Sequence, residues 1–117
     1  MFVAYEVGLD LIRALRPVVK QLRAHNLDIA KQVERAGTSV LHNLGEGSRR
    51  MGGDPRRFYA MASGSASEIL AALDVAEAWG WHVDSAAARE ILDRERRLLW
   101  GLVNSRKRSS RADALTR

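Results

Sequence analysis

The sequence predicts an all-α protein, an antiparallel up-and-down four-helix bundle. Apolar residues recur at three- and four-residue intervals almost throughout, with no convincing two-residue alternation. Three clusters of turn-forming residues, His25–Asp28, Gly52–Pro55 and Gly80–Ser85, divide the chain into segments of about 20 residues. Helices of that length joined by short connections pack side by side in alternating directions.

The first helix is expected over 3–24, with Val7, Leu11, Leu15, Val18, Val19 and Leu22 along one side. Pro17 removes one backbone donor inside it and predicts a kink or a break near Leu15. Asn26 or Asp28 can cap a second helix running to about residue 49. Its inward set is Ile29 or Ala30, then Val33, Gly37, Val40, Leu41 and Leu44. The clearest start signal is Gly52-Gly53-Asp54-Pro55: glycines for the turn, Asp54 as N-cap and Pro55 at the first helical position. That third helix should reach Trp79, where Gly80 can supply a left-handed residue. Asp84 or Ser85 caps the fourth, whose apolar set is Ile91, Leu92, Leu98, Leu99, Leu102 and Val103. It is expected to fade near 104–108, giving a bundle domain over 1–108 and a basic, disordered tail over 109–117.

Composition narrows the function classes. The 117 residues suit one domain with a workable core. Charges interrupt every window of about 20 residues, so no apolar run is long enough to span a bilayer. The opening residues lack the basic region of a secretory signal and meet Glu6 and Asp10 early. With no cysteine there is no disulfide, thiolate metal site or cysteine nucleophile. A soluble, cytoplasmic protein is expected.

The net charge of +5 is concentrated. Between Gly47 and Arg57 four arginines (Arg49, Arg50, Arg56, Arg57) face Asp54 alone, a balance of +3. Between Arg106 and Arg117 five cations, among them Arg106, Lys107 and Arg108, face Asp113, a balance of +4. The remainder of the chain sums to −2. In an up-and-down bundle the second connection and both termini share one end, so the two basic segments should form one basic pole.

The segment from Ser39 to Gly47, SVLHNLGEG, followed by Arg49/Arg50, Phe58, Ala62-Ser63-Gly64-Ser65 and Glu68, resembles a known family. It is similar to the four-helix-bundle proteins of the ribosomal RNA intervening-sequence type, whose second helix ends S-I-x-x-N-I-A-E-G and whose third carries A-x-G-S-x-x-E. Leu44 and Gly45 stand where the family has isoleucine and alanine, and the basic C-terminal segment has no counterpart in the pattern. The resemblance implies a bundle assembling into a ring-like homo-oligomer, commonly a pentamer. It also implies likeness to the accessory proteins of diversity-generating retroelements, which bind nucleic acid and a reverse transcriptase.

Asn43 and Glu46 are three apart on one helix and Ser65 and Glu68 three apart on the next, so each pair shares a face. They read first as a structural polar network fixing helix register, with Glu46 or Glu68 able to meet an arginine, and second as a small-ligand site. The second reading needs a concave pocket around Asn43, Glu46 and Glu68. Gly37, Gly45, Ala62, Gly64, Ser65 and Ala66 permit close backbone approach, either within the bundle or between subunits.

Metal and catalytic readings lack their residues. A carboxylate-bridged centre needs Glu-x-x-His pairs, but Leu22, Ser39 and Trp79 precede the three histidines by three positions. Ser63 and Ser65 have no histidine and acid at a recognisable spacing, and Gly52-Gly53-Asp54 lacks the rest of a phosphate loop. Trp79 and Trp100 suit core or interface positions, and Trp81, in a loop, an oligomer contact.

The expected function is that of a non-enzymatic, oligomeric accessory protein, without cofactor. It contacts RNA or DNA backbone through Arg49, Arg50, Arg56, Arg57, Arg106, Lys107 and Arg108. The alternative is a scaffold ring that binds an acidic protein partner.

Overall fold

The computed structural model describes residues 2–49 and 53–116, with side chains described through Ser105. Four helices follow in order: α1 (Val3–Arg23), α2 (Leu27–Ser48), α3 (Arg56–Trp79) and α4 (Ala86–Thr116). Each packs on its neighbours in the cyclic order α1, α2, α3, α4, and α4 closes the square against α1. The result is an all-α bundle 58 Å long and 24 × 21 Å across. Among the described residues no helix is long and apolar enough to cross a membrane.

α1 buries Ala4, Val7, Gly8, Leu11, Leu15, Val18, Val19 and Leu22 on one side, the stripe its periodicity predicts. It is one uninterrupted helix, so the break considered near Leu15 does not occur. Pro17 lies on the exposed side, where the carbonyl it leaves without a donor, that of Arg13, can turn to water. α2 is capped by Asn26, whose Oδ1 accepts from the Ile29 amide at 2.9 Å. A Cβ at Gly37 would sit 3.0 Å from Ile12 Cδ1, and one at Gly47 2.6 Å from Tyr59 Cε1. Both glycines therefore serve close packing inside the bundle.

Asp54 opens α3 by accepting the Arg56 amide at 3.0 Å, with the helix starting one residue later than the proline signal suggests. Gly80 ends it with φ of 75°, and the Trp81 amide donates back to the Ala76 carbonyl at 3.0 Å. That pairing is a Schellman stop and requires glycine. Ser85 precedes α4 and its carbonyl accepts the Arg89 amide at 2.8 Å.

Three side chains fall where their chemistry alone would not put them. Trp81 is half-buried and stacks on His25, with ring centroids 5.6 Å apart and an interplanar angle of 5°, tying the α1–α2 turn to the α3–α4 connection. Trp79 and Trp100 instead stand in solvent, 73% and 61% exposed. Of the three tryptophans, the loop residue is thus the one held against the core.

Candidate nucleic-acid interface

The pole that carries the α2–α3 connection is assembled by apolar contacts. The Phe2 and Tyr59 rings lie 6.0 Å apart, and Gly47 admits Tyr59 against the α2 backbone. The start of α1, the end of α2 and the start of α3 therefore meet there. Glu95 of α4 lies level with Gly8 of α1. At about 1.5 Å per residue, α4 passes the start of α1 near residue 100 and continues beyond it.

The predicted cations divide into three groups. Arg49 closes α2 and is exposed, and no carboxylate pairs with it among the described residues. Arg56 is clamped by Asp54, with Nε 2.9 Å from Oδ2 and Nη2 2.7 Å from Oδ2. That hydrogen bond, reinforced by the neighbouring charge, raises the guanidinium pKa and neutralises much of its field. Arg57 is exposed and rests its guanidinium 5.8 Å from the Phe58 ring centre, which leaves N–H groups free to donate outward. Arg50 lies outside the described residues, as do the side chains of Arg106, Lys107 and Arg108, whose backbone belongs to α4.

The polar residues of the α2–α3 seam sort differently from expectation. Asn43, 4% exposed, donates from Nδ2 to the Ser39 carbonyl at 2.9 Å and to Ser39 Oγ at 3.1 Å. Ser65 donates to the same hydroxyl across the helix pair at 2.8 Å. Ser39 is thus the bridge, one turn before Asn43. Glu46 and Glu68 do not join this bonded set among the described residues, and Glu68 faces solvent on α3. Asn43, Glu46 and Glu68 line neither the depression between α1 and α2 nor the one beside it, which Ser39 and His42 border. Among the described residues no group of three or more histidines and carboxylates could hold a metal.

Two features escaped the sequence reading. Glu95 is fully buried, and neither carboxyl oxygen has a hydrogen-bond partner. Burial pushes its pKa from 4.5 up to about 8, with Arg94 pulling weakly the other way. Gly8 makes room for it: a Cβ there would lie 2.7 Å from Oε2. The second feature is a groove of about 490 Å³ between α1 and α2, floored by Ile12, Leu15, Val19 and Val33 and rimmed by Arg16, Lys20 and Arg23. Arg23 pairs with Glu34 across it, whereas Arg16 and Lys20 have no carboxylate partner among the described residues.

The chain is thus a small all-α four-helix bundle with exposed cations, Arg49 and Arg57, at the pole that carries the α2–α3 connection. The family model for the 23S rRNA-intervening sequence protein matches residues 3–99, and the chain belongs to that family. The match covers all four helices as far as Leu99 and stops before the basic C-terminal segment. No curated protein and no solved structure matches the chain.

Proposed function

We propose that the protein is a non-enzymatic accessory protein that binds RNA or DNA by its phosphate backbone at the basic pole, working as a homo-oligomer. The observation that carries this reading is convergence: the fold brings the Arg49–Arg57 connection to the pole toward which the last turns of α4 run. Arg49 and Arg57 are the better-placed contacts, because Asp54 already occupies Arg56. The family's association with an rRNA intervening sequence is compatible with such binding. Self-association is supported by the large apolar side chains exposed on α3 and α4: Met61, Val75, Trp79 and Trp100. The alternative is a scaffold ring that presents the same pole to an acidic protein partner.

Backbone contacts lose affinity with salt in proportion to the phosphates neutralised, with a logarithmic slope of about −0.9 per contact on duplex DNA and about −0.7 on single strands. A gel-shift titration with a short RNA and a short DNA duplex, from low to physiological salt, measures that slope. Replacing Arg49, Arg50 and Arg57 by glutamine should flatten it by two to three contacts and weaken binding at low salt. Absence of binding to both probes at low salt would refute the reading.

A further inference from the structure

Trp100 is the tryptophan that the fold sets among cations. Five residues beyond Glu95, about 7.5 Å at 1.5 Å per residue, it comes level with Val3 and so stands at the pole of the α2–α3 connection. Its side chain is 61% exposed. Arg96 and Arg97 precede it by four and three residues, share its side of α4, and are exposed as well. Arg97 pairs with Asp93, whereas Arg96 has no carboxylate partner among the described residues. Lys107 and Arg111 take the positions seven and eleven residues beyond Trp100, spacings that return to the same side of α4.

The other two indoles lack this setting. Trp81 is stacked on His25 at the opposite pole. Trp79 follows Asp74 and Glu77 in the last turns of α3, where Arg89 is shared between the two carboxylates. A polyanion is therefore drawn to the surroundings of Trp100 and not to those of Trp79. Gly101 adds a second observation. A Cβ built there meets nothing within 4 Å, so a glycine that weakens the helix interior serves no contact within the chain and leaves room for another backbone beside the indole. A duplex keeps its base faces covered by their neighbours. A single strand can turn a base onto an exposed aromatic ring while basic side chains follow its phosphates.

We infer that the nucleic acid bound at the basic pole is single-stranded, with an unpaired base stacked on the Trp100 indole and a neighbouring phosphate held by Arg96. The inference rests on the nucleic-acid binding proposed above and names the form of its substrate. Every base has a π-face, so the preference is for strandedness and not for sequence.

Fluorescence anisotropy tests it with three labelled probes of equal length: a short oligothymidylate, an abasic strand and a duplex. The natural chain, Trp100→Ala and Trp100→Phe are compared. The natural chain should bind oligothymidylate roughly tenfold or more tightly than the abasic strand, the usual worth of one stacked base. Trp100→Ala should bind the two strands alike, with its affinity for the abasic strand and its salt slope unchanged, and Trp100→Phe should keep most of the preference. Helical circular dichroism should not change, because the side chain is exposed. Equal affinity of the natural chain for the two strands, duplex binding as tight as oligothymidylate binding, or equal weakening of both strands by Trp100→Ala would overturn the inference and leave the phosphate contacts standing. A lower mass of Trp100→Ala by light scattering would make the indole a contact between copies and overturn it as well. Failure of all three probes to bind at low salt would overturn the proposed nucleic-acid binding along with it.

Discussion

Ionisation of Glu95 should set the pH dependence of stability. In the folded chain its pKa is raised from 4.5 to about 8, so the native state holds the proton more tightly than the unfolded state. The stabilisation linked to that proton is complete below pH 4.5 and is lost as pH rises toward 8, above which nothing further is lost. At about 1.36 kcal/mol per pH unit, the loss reaches about 3 kcal/mol by neutrality and levels off at about 5 kcal/mol above pH 8. Either figure is a large part of the roughly 5–15 kcal/mol that holds a domain of this size together. Glu95→Gln keeps the shape of the side chain and cannot ionise. Urea unfolding of both proteins at pH 5, 6, 7, 8 and 9 isolates the effect, because every other titrating group is common to the pair. The difference in unfolding free energy should grow in favour of the glutamine variant from pH 5 to about 8 and then level off. Parallel curves for the two proteins across that range would refute the argument and mean that water or a structural adjustment solvates the carboxylate.

Three further outcomes follow from the packing. Gly47→Ala places a methyl 2.6 Å from the Tyr59 ring and should lower stability by about 1–3 kcal/mol, read as a drop in melting temperature. Ser39→Ala removes the hydroxyl shared by Asn43 and Ser65, leaving part-buried groups short of a partner, and should lower stability by about 1–3 kcal/mol in a urea titration. Asn26→Ala deletes the α2 cap and should lower it by about 1 kcal/mol, with the α1–α2 turn showing the largest gain in amide hydrogen exchange.

The helices were legible because their apolar stripes and stop signals act locally. Asn26 and Gly80 perform the capping chemistry their types and positions imply, whereas Pro55 takes the N-cap position expected of Asp54, which instead accepts the Arg56 amide from one residue further out. Glu95 was missed because a charged residue is read as outward, although its position extends the inner stripe of Ala88, Leu92 and Leu99 at four-, three- and four-residue steps. Gly8, mid-helix on the buried side of α1, was the matching signal on the facing helix. Trp79 and Trp81 were weighed by residue type, when register places Trp79 off the buried stripe that ends at Ala76. The α1–α2 groove was hidden for a different reason. Charge summed along the chain lets Asp10 and Glu34 cancel cations, whereas the fold pairs them with Arg13 and Arg23 and leaves Arg16 and Lys20 without an ion pair among the described residues. The Asn43–Ser65 link could be anticipated as a polar network, but its bridge through Ser39 depends on the α2–α3 register, which only the assembled bundle fixes.

The placement of the three indoles has an optical consequence. Trp79 is largely in water in the folded monomer, so unfolding should change its emission little. Trp81, face to face with the His25 imidazole, is the emitter that a local opening of that end would alter. A chain retaining Trp81 alone would therefore report on the turn-side pole and stay silent about the basic one. A chain retaining Trp79 alone would shift to shorter wavelength when α3 is covered, giving a solution signal for assembly that needs no added label.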